Sequence, residues 1–352
     1  MKLIKTLRVR IKDKHAATLR EMAGSVNFVW NYLNELSSRS IREKGVFLSE
    51  YDLHPYTKGA GKLVGLHSQT LQVIAQEYVT RRKQFKKRQL RWRASRGPRR
   101  SLGWVPFNTG AACWKNGQIY HSGHFFKVWD SYGLADYKFL TGSFSEDSRG
   151  RWYFNVAVEI KQVRPCGQAK VGIDLGLKTT ATCSDGEKLE AGRFYRDLLP
   201  KLKVAQRSGN KQRTRALHAK IRNRRKDSLH KFTTELVKAN QLIVVGNVSS
   251  KKLVKTRMAM SVLDAGWGQF KTLLDYKCAY AGSVLKVVNE AYTSQTCSSC
   301  GSLPSTRPKG IAGLGIREWT CACGVTHDRD INAARNILAL GHERPIGGIP
   351  AL

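Results

Sequence analysis

The sequence predicts a multidomain α+β protein. Its second half reads as a mixed α/β sheet carrying a four-cysteine insert, and its first half as a β-barrel interrupted by a helical domain. Three observations carry this expectation. After about residue 166, short apolar strands alternate with helices. Residues 102–160 consist instead of short aromatic segments punctuated by Gly. Four of the eight cysteines fall in two close pairs near the C-terminal end. At roughly 150 residues per domain, 352 residues suffice for two or three domains with real cores.

Residues 3–12, LIKTLRVRIK, alternate apolar and basic side chains, the period of a strand. From Lys14 the pattern turns helical, and a second helical region is expected over 68–93 with Ser68 as its N-cap. Gly97-Pro98 then breaks the chain. KVWDSYG, YKFLTGSF and RWYFNVAVEI read as strands of a small barrel or sandwich, which the N-terminal strand joins. The expected domains are therefore a barrel over 1–13 and 101–165, and a helical domain over 14–100.

The chain restarts after Val163-Arg164-Pro165. AKVGIDLGLKTTATCSDGEKLEAGRF reads as three short strands joined by tight Gly turns, followed by long basic helices over 198–239. QLIVVGNVSS and SVLKVVNE each contain a buried strand, with a helix over 262–281 between them. INAARNILALG closes the chain as a helix. This order implies a mixed sheet whose last two strands run parallel to the first, the arrangement of the RNase H-like fold. Such folds gather acidic residues at the C-terminal ends of adjacent parallel strands. This domain spans 166–292 and 326–352, with a cysteine insert over 293–325.

Lys and Arg number 61 against 26 Asp and Glu, a net charge of +35. A chain so charged needs a polyanion, and nucleic acid fits best because phosphate contacts release condensed counterions. The charge comes in blocks: residues 81–100 hold 11 basic and no acidic residues, and residues 201–240 hold 13 basic residues against Asp227 and Glu235. The expected phosphate-binding residues are Arg81, Arg82, Lys83, Lys86, Lys87, Arg88, Arg91 and Arg93 in the first block. In the second they are Arg222, Arg224, Arg225 and Lys226. Phe85 is expected to pack in the core, whereas Trp92 is open to either packing or base stacking. No apolar run approaches the ~18 residues of a membrane span, and MKLIKTLRVRIKDK lacks the apolar stretch of a secretory signal. A cytoplasmic protein is expected.

Cys113, Cys166, Cys183 and Cys278 are solitary and expected to be buried thiols. Cys297, Cys300, Cys321 and Cys323 form C-x2-C and C-x-C, each pair followed by Gly. Two such knuckles can point four thiolates at one tetrahedral Zn²⁺.

IDLGLKTTAT (173–182) resembles the first motif of RuvC-type nucleases. HDRDINAARNIL (327–338), after a Cys ribbon, resembles the third motif of TnpB, the insertion-sequence-encoded RNA-guided nuclease family. RNRRKDSLHKFTTELV, DAGWGQFKTLLDYKC and AYTSQTCSSCG are similar to the same family, which is related to type V CRISPR effectors. The resemblance covers the second half closely and the first half loosely. It implies an RNA-guided DNA endonuclease with guide RNA and target double-stranded DNA as partners. It also implies a zinc ribbon and a RuvC-like domain that cuts with two Mg²⁺ held by carboxylates. Asp174 and Asp330 match the family's ligands, with Asp328 second to Asp330; as bare residues, each reads equally as a turn or cap.

One motif departs from the family. Its second strand ends in Glu, where this chain reads Ile243-Val244-Val245-Gly246-Asn247-Val248. Either the enzyme is dead, leaving a guided DNA-binding repressor, or another carboxylate substitutes. Glu290, at the end of the neighbouring strand, is the expected substitute, an arrangement that some of the wider TnpB-like group share. Strands lie about 4.8 Å apart, a gap that a Glu side chain largely covers. A strand-transferring transposase would need a similar acidic site.

Overall fold

The alternating N-terminal stretch forms strand β1 (Leu3–Ile11), and β1 runs through the middle of the first sheet. The computed structural model describes residues 3–160, 167–256, 258–309 and 312–342, and divides into units 1–161 and 162–352. Cys166 and the break at 163–165 lie outside the described residues.

In the first unit, helices α1 (Ala16–Lys44), α2 (Glu50–Thr57), α3 (Gly61–Val64) and α4 (Ser68–Phe85) follow β1. They are inserted before β2 (Trp104–Phe107), β3 (Ala112–Lys115), β4 (Gln118–His121), β5 (His124–Phe126), β6 (Val128–Trp129), β7 (Phe139–Glu146) and β8 (Trp152–Ile160). The strands make an antiparallel sheet ordered β2-β7-β8-β1-β6 and a three-stranded sheet β3-β4-β5. Phe107, Phe126, Phe144 and Phe154 from the two sheets share one core with Leu19, Leu33 and Tyr78 of the helices.

The second helix ends earlier than its sequence suggests. Lys86 turns left-handed (φ 50°) and caps α4, so residues 86–103 are not helical. The cap at the other end is His67, whose side chain accepts from Gln69 N at 3.2 Å, with Ser68 as the first helical residue. Phe85 is exposed rather than packed, because it falls on the last turn just before that cap. Cys113 is also exposed, whereas Cys183 and Cys278 are buried as expected.

The second unit begins with β9 (Ala169–Asp174), β10 (Thr179–Cys183) and β11 (Lys188–Glu190), then α5 (Phe194–Arg207) and α6 (Lys211–Ala239). Next come β12 (Asn240–Gly246), α7 (Ser250–Leu253), α8 (Ala259–Ala265), α9 (Trp267–Ala281) and β13 (Val284–Val288). The hairpin β14 (Glu318–Thr320) and β15 (Thr326–Asp328) leads into α10 (Arg329–His342). The main sheet is ordered β11-β10-β9-β12-β13, with β12 parallel to both β9 and β13, as the element order predicts. The single helix expected over 262–281 breaks at Gly266 into α8 and α9. Strand β13 is an edge strand and mostly accessible, so its apolar run does not mark a buried strand.

Gly172, in the middle of β9, fixes how α10 lies on this sheet. A Cβ there would stand 2.0 Å from the Ala334 carbonyl oxygen and 2.7 Å from Leu338 N. Only a residue without a side chain admits a helix backbone so close. This close approach brings the first turn of α10 to the end of β9, and Asp330 to Asp174.

Candidate active site

Asp174 ends β9, Gly246 ends β12, and Glu290 lies two residues beyond β13. Parallel pairing places Gly246 opposite Val288, so the chain continues from that level to Glu290 at the same sheet edge. There the Glu290 carboxylate folds back over β12. A Cβ built on Gly246 would lie 2.3 Å from Glu290 Oε2 and 3.3 Å from its Cδ. The volume that any side chain at position 246 would claim is thus filled by the carboxylate of the neighbouring strand.

Asparagines on α10 hold this edge together. Asn332 Nδ2 donates to the carbonyls of Thr293 (3.2 Å) and Thr296 (2.7 Å), and Asn336 Nδ2 to the same two at 2.8 and 2.7 Å. The turn after Glu290 is thereby fixed to the helix that carries Asp330. The N-x3-N spacing within INAARNIL was the available signal: i and i+4 share a helix face.

The electrostatics set these acids apart. Burial pushes the Asp174 carboxyl up to about 7, and the negative charges of Asp330 and Glu290 push the same way, against Arg329. Glu290 is also raised, mainly by burial, with Lys271 opposing. Its Oε2 is buried with no hydrogen-bond partner among the described residues. An unsatisfied buried carboxylate oxygen is costly unless something cationic meets it.

The two aspartates at α10 divide their duties. Asp328 Oδ1 accepts from Asp330 N (2.9 Å) and Ile331 N (3.0 Å), capping the helix, while its Oδ2 pairs with Lys188 at 3.1 Å. Asp330 leaves its carboxylate toward the sheet edge, where Arg317 Nη1 reaches it at 3.1 Å. Capping consumes the donor-facing side of Asp328.

The four paired cysteines converge. Their Sγ atoms all lie within 4.8 Å of one another, with Cys297 to Cys323 at 3.8 Å and Cys300 to Cys321 at 3.7 Å. A tetrahedron of ~2.3 Å Zn–S bonds has edges of about 3.8 Å. The donor set and the spacing fit a single Zn²⁺. Cys321 and Cys323 sit in the turn between β14 and β15, and that turn closes through Cys321 N to Val325 O at 2.9 Å. Ser302 holds the Cys300 thiol down at about 6. His327, which the spacing alone does not single out, lies 3.0 Å from Cys297 Sγ through Nε2.

The expected phosphate-binding residues separate into two groups. Lys83, Lys86, Lys87, Arg88 and Arg91 are exposed, as are Arg222, Arg224 and Lys226. Three others are committed internally and are not free to meet phosphate. Arg82 is buried against Ser37 Oγ and the Leu48 carbonyl. Arg93 donates to Asn27 and the Leu102 carbonyl, and Arg225 pairs with Asp264 at 3.0 Å. Arg81 is exposed but engaged by Glu77 at 2.6 Å. Residue type and charge density cannot tell these anchors from free cations.

Comparison with known proteins fits this architecture. Residues 153–257 match the family described as "Probable transposase" (OrfB_IS605), and residues 267–337 match "Cas12f1-like, TNB domain". A Streptomyces pristinaespiralis protein named "Putative RNA-guided DNA endonuclease" is 31% identical over 94% of this chain and 87% of its own length. InsQ of Escherichia coli (strain K12), named in the same way, is 31% identical over 55% of each chain. A solved Cas12f1–sgRNA–target DNA complex superimposes with a TM-score of 0.61 over 96% of this chain and 98% of that one, at 13% identity. The chain has the mixed α/β multidomain fold of these proteins and belongs to the TnpB-like family of RNA-guided DNA endonucleases. No helix among the described residues is long and apolar enough to cross a membrane.

Proposed function

We propose that this chain is an active, Mg²⁺-dependent, RNA-guided DNA endonuclease whose catalytic carboxylates are Asp174, Glu290 and Asp330. The observation that carries the reading is the Glu290 carboxylate lying in the space vacated at Gly246. A drifting remnant of a lost site has no reason to aim an unpartnered carboxylate oxygen there. Asp174, raised by burial and then by the charges of Asp330 and Glu290, and the orphan Glu290 oxygen are both groups that a hard divalent cation would stabilise. Two Mg²⁺, when bound, would supply an activated water and stabilise the leaving oxygen. The protein's part is to hold three carboxylates at one sheet edge, with Asp328 fixing the start of α10 and Asn332 and Asn336 fixing the turn after Glu290.

In the same reading the 166–292 and 326–352 sheet is RuvC-like and RNase H-like, supported by its β11-β10-β9-β12-β13 order. Residues 293–325 form a zinc ribbon held by Cys297, Cys300, Cys321 and Cys323. The strands of the first unit form a wedge-like barrel over 1–13 and 101–165, with the helices of 14–100 inserted as a recognition domain. The protein acts in the cytoplasm. Guide RNA and target DNA lie along the exposed basic residues, pairing supplies sequence specificity, and the protein reads a short flanking duplex motif.

The second reading is a guided DNA binder that no longer cuts, and Gly246 in place of the motif carboxylate favours it. One experiment separates the two. The protein is purified with its co-purifying RNA and offered a matched duplex in Mg²⁺ or in chelator. The proposal expects one defined RNA and Mg²⁺-dependent cleavage. Tight binding without any product gives the site to the second reading.

A further inference from the structure

Residues 86–103 carry six exposed basic side chains between Lys86 and Arg99, yet they form an ordered strap rather than a loose basic tail. Its backbone is taken up by one face of α1. Asn27, Asn31 and Asn34, spaced i, i+4, i+7, form a ladder along the strap. Asn34 exchanges bonds with Leu90 N (3.0 Å) and Leu90 O (2.8 Å), and Asn31 with Arg93 N (2.8 Å) and Arg93 O (2.9 Å). Asn27 closes it through Ser95 Oγ at 3.1 Å.

Two arginines of the strap, Arg93 and Arg100, are anchored as well. The Arg93 guanidinium lies 5.7 Å from the ring centroids of both Trp30 and Trp104. Arg100 makes a two-pronged pair with Glu146 at 2.7 and 3.0 Å, and the Glu146 side chain is fully buried. Side chains of one helix that satisfy the strap's amides and carbonyls order it without a sheet.

Between the held residues Leu90 and Arg93, Trp92 points away from the core, 55% exposed, with Arg91 exposed beside it. No acidic residue lies within 81–100. A flat aromatic face among exposed cations suits unpaired nucleotides, whose bases offer a free π-face beside phosphate. Stacked duplex bases offer none.

We propose that the strap is a preformed platform for single-stranded nucleic acid, with Trp92 stacking on a base while Arg88 and Arg91 take the adjoining phosphates. This deepens the nucleic-acid reading above and does not depend on cleavage.

The test uses the full-length protein stripped of RNA and measures binding to short single strands of RNA and of DNA, and to a blunt duplex, across a salt series. Trp92→Leu should weaken single-strand binding about tenfold, as loss of one base–aromatic stack does. The slope of log affinity against log salt should stay unchanged, because stacking releases no counterions. Trp92→Phe should retain most of the affinity, and duplex binding should not move. Loss on RNA alone would assign the platform to the guide, and loss on both strands to any exposed base. Unchanged single-strand binding by Trp92→Leu, or an equal loss on duplex, overturns the proposal. So does a Trp92→Phe protein as weak as Trp92→Leu. Matching melting curves for the three proteins exclude misfolding as the cause.

Discussion

The cysteine cluster and the carboxylate cluster share the same end of the second unit, but they are assembled in opposite ways. All four thiols come from residues 297–323, on two turns that close on themselves. The three carboxylates come from residue 174, residue 290 and residue 330, and only the register of β9, β12 and β13 with the seat of α10 makes them neighbours. A local site depends on spacing, so every ligand is needed where it stands. A site spread along a sheet edge depends on which strand ends lie side by side. A carboxylate can therefore pass from one strand to the next while the edge stays charged. In the proposed reading, Gly246 and Glu290 are the two halves of such an exchange.

The largest effect is expected at the local site. Wild-type protein should carry one Zn²⁺ by elemental analysis, and Cys297→Ser with Cys321→Ser should carry none. Structural zinc contributes on the order of 10 kcal/mol to small modules. The double variant should therefore be cut by protease within 293–325 under conditions that leave wild type intact. A zinc-free wild type would remove one side of the comparison.

Gly246→Ala asks whether the spread site is as finely set as it looks. The new methyl would stand 2.3 Å from Glu290 Oε2, the movable end of a side chain, so the fold should tolerate it. The carboxylate must shift, however, and single-turnover cleavage should fall by about a hundredfold with little change in melting. An undiminished rate would mean that Glu290 does not act from that position.

Asp174 gives a pH signature that the thiols do not share. Its folded-state pKa of about 7 lies above the ordinary 3.8. Above pH 4 the unfolded chain ionises this group while the folded protein resists. The metal-free protein therefore loses stability as pH rises toward 7. Asp174→Asn should remove that loss, raising the melting temperature by several degrees at about pH 8 and not below about pH 4. For a domain of this size ~1 kcal/mol moves the midpoint by ~2–4 °C. Mg²⁺ should stabilise wild type and not the variant. Equal melting of the two proteins at both pH values would show that Asp174 is not held protonated.

The smallest effect belongs to the exposed basic surface. Replacing Lys83, Lys86, Lys87 and Arg88 with Ala should flatten the salt dependence of nucleic-acid binding, by up to about one unit of slope for each phosphate no longer neutralised. Replacing the internal anchors Arg82 and Arg93 should instead lower stability.

Much of this was legible in the sequence, for reasons that differ from element to element. The parallel order of the last two strands followed from alternating periodicities, and the thiol site from C-x2-C and C-x-C spacing. Asp174, Glu290 and Asp330 entered through a resemblance and one conspicuous Gly, not through any local pattern. The end of α4 was not legible, because Lys86 turns left-handed and the residues that hold the chain beyond it, Asn31 and Asn34, lie more than fifty positions from Leu90 and Arg93. The same distance hid the anchoring role of Arg93, which looks like any other arginine in a basic run. Strand β13 read as buried because an apolar run says nothing about whether the strand lies at an edge. Tertiary partners decided each of these points.

The central claim is that Glu290 serves as the second-motif carboxylate. The most direct measurement is cleavage of a matched duplex by Glu290→Gln loaded with the co-purified RNA, run beside wild type in Mg²⁺. Gln preserves the shape and removes the charge that the cations require. Glu290→Gln should bind the target as wild type does and give no product. A Glu290→Gln protein that cuts at the wild-type rate would contradict that claim.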